Sequence, residues 1–252
     1  MVPLDLQGNI ALITGAGRGV GRNTAKWLAR AGAKVVLNDI DKTGVEELQK
    51  ELTDQGMTAL AVVADITVEA DVRRMVQQVE QTLGAVTILV NNAGLWVQKP
   101  FLSTTRNDWD REINLNVFGV LHCVKAVLPG MVEAKKGRIV TVTSEAGRVG
   151  EANTAVYSAA KAAVIGFTKA LAKEVGRSGI NINCVALSMT ETPQTADVFA
   201  NPEILQRAVK LYPLRRFGKP DDAAAAILFL VSQEASWITG QTLGVNGGYA
   251  MY

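Results

Sequence analysis

Seven short runs of β-favouring residues alternate with longer runs of helical period, and this alternation leaves the chain few architectures to choose from. The strand candidates are "NIALIT" (9–14), "AKVVLND" (33–39), "TALAVVAD" (58–65), "VTILVN" (86–91), "GRIVTVTS" (137–144), "INCVAL" (182–187) and "TLGVNG" (242–247). Amphipathic stretches at 22–32, 45–56 and 71–84 fall between them, each closing on a glycine, as helix ends often do. Strands that are apolar on both faces and separated by helices predict a parallel sheet covered on both sides. The expected fold is therefore α/β: one Rossmann-type doubly wound sheet of about seven strands, with right-handed crossovers.

The 252 residues suit one catalytic domain spanning 1–252 better than two domains. Lys and Arg number 26 against 24 Asp and Glu, a net charge of +2. That balance gives no electrostatic footprint for nucleic acid or a membrane surface. The two cysteines, Cys123 and Cys184, sit in apolar segments without metal-ligand spacing to each other or to His122, so neither a disulfide nor a metal site is expected. The first fifteen residues carry no signal-peptide pattern and no segment reaches membrane-spanning apolar length, which points to the cytoplasm. Residues 188–200, "SMTETPQTADVFA", read as a loop without regular structure, the start of a substrate-covering segment around 188–216.

"TGAGRGVG" (14–21) follows the first strand and opens a helix. Its glycines at 15, 17, 19 and 21 depart from the G-x-G-x-x-G spacing, yet they allow the same tight turn and close approach to a pyrophosphate at a helix N-terminus. Asp39 ends the second strand twenty residues after Gly19, where a carboxylate accepts the ribose hydroxyls of NAD and repels the 2′-phosphate of NADP. Arg18, within the glycine turn, argues the other way, because it would pair with such a phosphate. No cation follows Asp39 until Lys42, and the reading is NAD.

In "AVYSAAKAAV" (155–164), Tyr157 and Lys161 stand at i and i+4 and share one helix face. Ser144 ends the fifth strand run, on the sheet edge where such folds bind ligands. A free phenol has a pKa of about 10, too high for a base at neutral pH. A neighbouring ammonium and a positively charged nicotinamide would lower it. The pair then suits proton transfer in alcohol–ketone chemistry.

"TGAGRGVG", "NNAG" (91–94), Ser144 and "YSAAK" (157–161), in this order and spacing, resemble the short-chain dehydrogenase/reductase family, from about residue 8 to "GVNGGY". The resemblance implies Tyr157 as general acid/base, Ser144 orienting the substrate oxygen, and Lys161 binding the nicotinamide ribose while lowering the tyrosine pKa. It implies that Asn116 holds a water in a proton relay and that Asp65 contacts the adenine. Asn91, Ala93 and Gly94 would line the cofactor, as would Val20, Ile40, Ile66, Leu187, Thr190 and Thr192. Leu187-Ser188 stands where the family usually has Pro-Gly, and Ser188 brings a hydroxyl to the substrate side.

Further substrate-pocket candidates are Trp96, Glu145, Arg148, Glu151 and Asn153, with Leu187, Met189, Val198 and Phe199 from the segment after the sixth strand. Arg148 either meets an anionic group or pairs with Glu145 and Glu151. His122, Trp237 and Met75 read as packing or helix-face residues. The expected reaction is reversible hydride transfer between NAD(H) and a small-molecule secondary alcohol or ketone: an alicyclic or aryl alcohol, or a hydroxyacyl thioester. The alternatives are a 3-oxoacyl reductase using NADPH and a non-catalytic dinucleotide-binding scaffold. The resemblance also implies a homotetramer with contacts around 106–135 and 153–177.

Overall fold

The computed structural model describes residues 4–199 and 202–252. Its strands are β1 (Ile10–Thr14), β2 (Lys34–Asp39), β3 (Ala59–Val63), β4 (Ile88–Asn91), β5 (Gly137–Ser144), β6 (Ile180–Leu187) and β7 (Thr242–Val245). They form one sheet in the order β3-β2-β1-β4-β5-β6-β7, and every pairing is parallel. The order reverses between β1 and β4, which opens a crevice at the carboxyl ends of the strands. Register sets what meets there: Thr14 lies opposite Asn38, and Ser144 opposite Leu187.

Helices cover both faces. α1 (Gly19–Arg30), α2 (Lys42–Asp54), α3 (Glu69–Thr82), α4 (Arg106–Ile113) and α5 (Gly119–Ala134) precede β5. α6 (Ala146–Val149) and α7 (Ala155–Val175) follow it; α8 (Ala196–Phe199), α9 (Pro202–Ala208) and α10 (Pro220–Val231) lie between β6 and β7. Leu28, Leu48, Leu52, Ile227 and Leu230 pack on one face of the sheet. Met75, Val79, Cys123, Val127, Val164 and Leu171 pack on the other. Each fully buried aliphatic side chain contributes about 1.5–3 kcal/mol. The central strands are buried on both sides, β1 and β4 at every position, whereas the edge strands β3 and β7 are partly exposed. Gly32, Gly56 and Gly84 end the first three helices at φ 96, 80 and 109°, as the sequence pattern predicts.

Four expectations change. A run of π-helix at Asn114–Phe118 joins α4 to α5, giving a continuous 29-residue helix, Arg106–Ala134, long and apolar enough by composition to cross a membrane. Val120, Cys123, Val124, Val127 and Met131 put that apolar character into the core of this fold. The covering segment is not irregular, because it holds the 3₁₀ turns Pro193–Thr195 and Val209–Leu211 with α8 and α9. Trp237 is 99% exposed rather than packed. His122 is half-buried rather than fully solvated, and its Nδ1 pairs with the Ile66 carbonyl at 3.0 Å. Met75 is buried as expected.

The glycine turn is the tightest junction. Gly15 sits at φ 67° beside the Ala93 backbone, and a Cβ on Gly21 would lie 2.1 Å from the Gly15 carbonyl oxygen. Backbone cannot yield by that amount without moving α1 off β1. Gly21→Ala is therefore expected to cost about 1–3 kcal/mol or more, read as a lower denaturation midpoint; an unchanged midpoint would contradict this packing.

Candidate active site

A cleft of about 1000 Å³ runs along the carboxyl edge of the sheet. At one end it is lined by Gly15, Arg18, Gly19, Val20, Asp39, Ile40, Asp65 and Ile66. The chain turns sharply here because Ala16 N–H donates to the Asn38 carbonyl at 2.9 Å and Gly17 N–H to Asp39 Oδ2 at 3.0 Å. Asp39 Oδ1 also accepts from Asp41 N–H, so this carboxylate is fixed at the rim. Arg18 occupies the N-cap of α1 without a side-chain cap, and no acidic residue stands in the first turn. The positive end of α1 thus opens onto the cleft. Gly19 has φ 57°, and a Cβ there would meet Thr192 across the cleft at 3.4 Å. A bare backbone, an open helix N-terminus and a fixed carboxylate fit a dinucleotide.

Several expected cofactor residues do other work. Gly17 and Gly21 do not line the cleft; they shape the turn. Asn91 points into the sheet, donating to Thr141 Oγ1 at 3.3 Å, while Asn92 lines the cleft. Asn92 Nδ2 donates to the carbonyls of Thr14 and Gly15 at 2.9 and 3.1 Å and so ties β4 to the glycine turn. The second Asn of "NNAG" was the available signal, since side chains alternate along a strand. Asp65 lines the cleft and accepts from Thr67 N–H and Oγ1 at 2.8 and 2.7 Å. Ala93, Gly94, Leu187, Thr190 and Thr192 also line it, as expected.

The middle of the cleft holds Ser144, Tyr157 and Lys161. Ser144 Oγ accepts from Ala146 N–H at 3.1 Å at the end of β5. Lys161 is 5% exposed; its Nζ donates to the Val142 carbonyl at 3.0 Å and lies 5.7 Å from the Tyr157 ring centroid. Trp96 closes the other side, its ring 6.3 Å from that of Tyr157. Asn116, in the π-helical turn, donates from Nδ2 to the carbonyls of Leu95 and Glu112, while its buried Oδ1 has no partner. A Cβ on Gly94 would sit 2.9 Å from that Oδ1 and 3.3 Å from Lys161 Nζ. Glycine therefore leaves a small polar space between them, of the kind a relay water fills.

The electrostatics reverse one expectation. Burial pushes the Tyr157 phenol up to about 12; hydrogen bonding from Ser144 opposes the rise, and Glu151 and Glu112 add to it. Burial pushes Lys161 down to about 8. Desolvation is the largest cause at both groups, and the Lys161 ammonium is not among the groups that move the phenol. The phenol therefore holds its proton at neutral pH. Glu112, which sequence reading missed, is buried, and its carboxyl is pushed up by that burial. It accepts from Val97 N–H at 2.7 Å and anchors the loop that carries Trp96.

On the substrate side, Glu145, Glu151, Ser188 and Met189 line the cleft, joined by Gln98, Arg111, Tyr212 and Tyr249, which no motif flagged. Asn153 does not line it; this residue has φ 65°, and its carbonyl accepts from Lys99 N–H. Arg148 does not line it either, because it pairs with Glu145 at 3.5 Å and covers the Tyr252 ring at 3.6 Å. Phe199 packs edge-on against Phe217 rather than into the cleft. The Val198 side chain lies outside the described residues.

A family model described as Enoyl-(Acyl carrier protein) reductase matches residues 15–250. The (2S)-[(R)-hydroxy(phenyl)methyl]succinyl-CoA dehydrogenase subunit BbsD of Thauera aromatica is 41% identical over 99% of both chains. The 3-oxoacyl-[acyl-carrier-protein] reductase FabG of Thermotoga maritima is 38% identical over 97% of this chain and 99% of its own. The chain belongs to the short-chain dehydrogenase/reductase family. Among solved structures, a gluconate 5-dehydrogenase from Burkholderia cenocepacia, in complex with NADP and tartrate, superposes with a TM-score of 0.94. It is 33% identical, covering 98% of this chain and 97% of that one. The protein is an oxidoreductase of this family and works with a nicotinamide dinucleotide.

Proposed function

We propose that the protein interconverts a secondary alcohol and a ketone with NAD(H), its substrate an alicyclic or aryl alcohol or a hydroxyacyl thioester. The convergence of Ser144, Tyr157 and Lys161 at the centre of one cleft carries this reading. Ser144 and Tyr157 together hold the substrate oxygen, the serine by hydrogen bond and the tyrosine at its phenolic proton. In the reductive direction Tyr157 Oη gives its proton to the forming alkoxide; in the oxidative direction it takes the alcohol proton. Lys161 stabilises the phenolate and reaches the nicotinamide ribose, while Asn116 Oδ1 and Lys161 Nζ flank the space through which the proton is resupplied. The nicotinamide supplies the hydride acceptor or donor and, when oxidised, the added positive charge that a phenol near 12 needs.

Asp39 favours NAD, since its carboxylate is held at the rim where a 2′-phosphate would lie. The second reading, a 3-oxoacyl reductase using NADPH, draws on Arg18 at the same rim. We also propose a cytoplasmic homotetramer; Phe118 and Val132, 46% and 39% exposed on the 106–135 segment, support contacts there.

A panel of cyclic and aryl alcohols, hydroxyacids and hydroxyacyl thioesters, assayed with NAD and NADP, tests the reading. Tyr157→Phe is expected to lose about 10²–10⁴-fold in turnover with dinucleotide binding retained; full activity in the variant, or no turnover of any member by the wild type, would overturn it. Asp39→Ala is expected to shift preference toward NADP. A wild type that already prefers NADP would overturn the cofactor assignment.

A further inference from the structure

Beyond β7 the backbone turns back, and the segment Asn246–Tyr252 reaches Glu145, the chain neighbour of Ser144. Glu145, next to Ser144, is 1% exposed and is tied to this segment through both carboxyl oxygens. Its Oε1 accepts from Asn246 Nδ2 at 2.8 Å, and its Oε2 accepts from Tyr252 Oη at 3.1 Å. Asn246 Nδ2 also donates to the Ala250 carbonyl at 2.8 Å, which curls the segment so that Tyr252 reaches Glu145. Arg148 completes the knot, pairing with Glu145 at 3.5 Å with its guanidinium 3.6 Å from the Tyr252 ring centroid. A Cβ on Gly244 would fall 3.0 Å from both Asn246 Nδ2 and Glu145 Oε1, so the strand leaves room for this cluster.

The same segment reaches the covering loop. Tyr249 stacks on Tyr212 with centroids 5.3 Å apart, and Tyr212 Oη accepts from Met189 N–H at 3.3 Å. A smaller cavity beside the cleft is lined by Ala250, Met251 and Tyr252 and shares Val149, Leu211 and Tyr249 with it. Tyr249 is thus the residue of this segment that lines the cleft, while Ala250, Met251 and Tyr252 line the smaller cavity beside it.

We infer that Asn246–Tyr252 is a strap that positions the catalytic serine, and that Tyr252 is its fastening. Ser144 Oγ is oriented by Ala146 N–H, and the Glu145 carbonyl accepts from the N–H groups of Arg148 and Val149. Whatever fixes Glu145 thus fixes the turn that aims the serine. Glu145 N–H donates to the Leu187 carbonyl at 2.9 Å, but that bond holds the backbone and leaves the side chain to the strap. Tyr252 and Glu145 act here as positioning residues. The inference rests on the proposed role of Ser144, so one of its readouts is independent of turnover.

The test compares the wild type with Tyr252→Ala and Tyr252→Phe. Hydrogen exchange is read at the amides of 144–150, dinucleotide affinity by titration, and kcat and KM separately on whichever panel member turns over. Tyr252→Ala is expected to speed exchange at 144–150, leave exchange at 10–30 and dinucleotide affinity within about twofold, and lower kcat about tenfold. Tyr252→Phe keeps the ring under Arg148 but loses the bond to Glu145, and is expected to fall between the two. Unchanged exchange at 144–150 would overturn the strap whatever the kinetics do. Equal losses in dinucleotide affinity and kcat would also overturn it, because they mark a general structural defect. A wild type inactive on every panel member would sink the proposed reaction, while exchange would still decide the strap.

Discussion

Lys161 is held against β5 at both its ends, and the catalytic geometry hangs on that attachment. Its side-chain ammonium donates to the Val142 carbonyl at 3.0 Å, and its own carbonyl accepts from Thr143 Oγ1 at the same distance. A Cβ on Gly147 would lie 2.7 Å from the Lys161 backbone, so α7 can lie flush only on a glycine. These contacts set the height of α7 along the strand. Tyr157, one turn earlier on the same face, then stands beside Ser144 at the strand end. Burial follows from the same close packing, and it drives the two groups toward their neutral forms. In the proposed reaction neutral tyrosine is the starting state for donating a proton, and the positive charge of an oxidised nicotinamide would convert it into an acceptor.

The cofactor end repeats the pattern of close approach secured by side chains from elsewhere. Asn92, just past the end of β4, and Asp39 on β2 each hold one part of the glycine turn. The turn's bare backbone is thus presented rather than merely permitted. Fixing these donors and acceptors before a ligand arrives lowers the ordering cost of binding.

Much of this was legible in the chain because it rests on local pattern. Strand runs, helix-ending glycines and the Tyr157–Lys161 spacing all report periodicity, and the parallel, doubly wound sheet follows from alternating elements. The misses are tertiary. Asn91 and Asn92 differ only in which way a strand side chain points. The continuous Arg106–Ala134 helix depends on a π-helical turn that joins two segments. The sequence does not decide between the two roles of Arg148, because its aromatic partner, Tyr252, lies far along the chain. The phenol's upward shift could not be read from an i, i+4 pair, since spacing shows the ammonium but not the desolvation of the phenol.

The central claim is that Tyr157 is a buried phenol converted into a base by bound positive charge. Ultraviolet difference titration of wild type against Tyr157→Phe, with and without oxidised dinucleotide, reads it directly. Without dinucleotide the phenolate signal assigned to Tyr157 should be absent up to about pH 10, above which burial still holds the proton. With oxidised dinucleotide it should appear at clearly lower pH. Superimposable titrations in the two conditions, or a phenolate already present near neutrality without dinucleotide, would contradict the account.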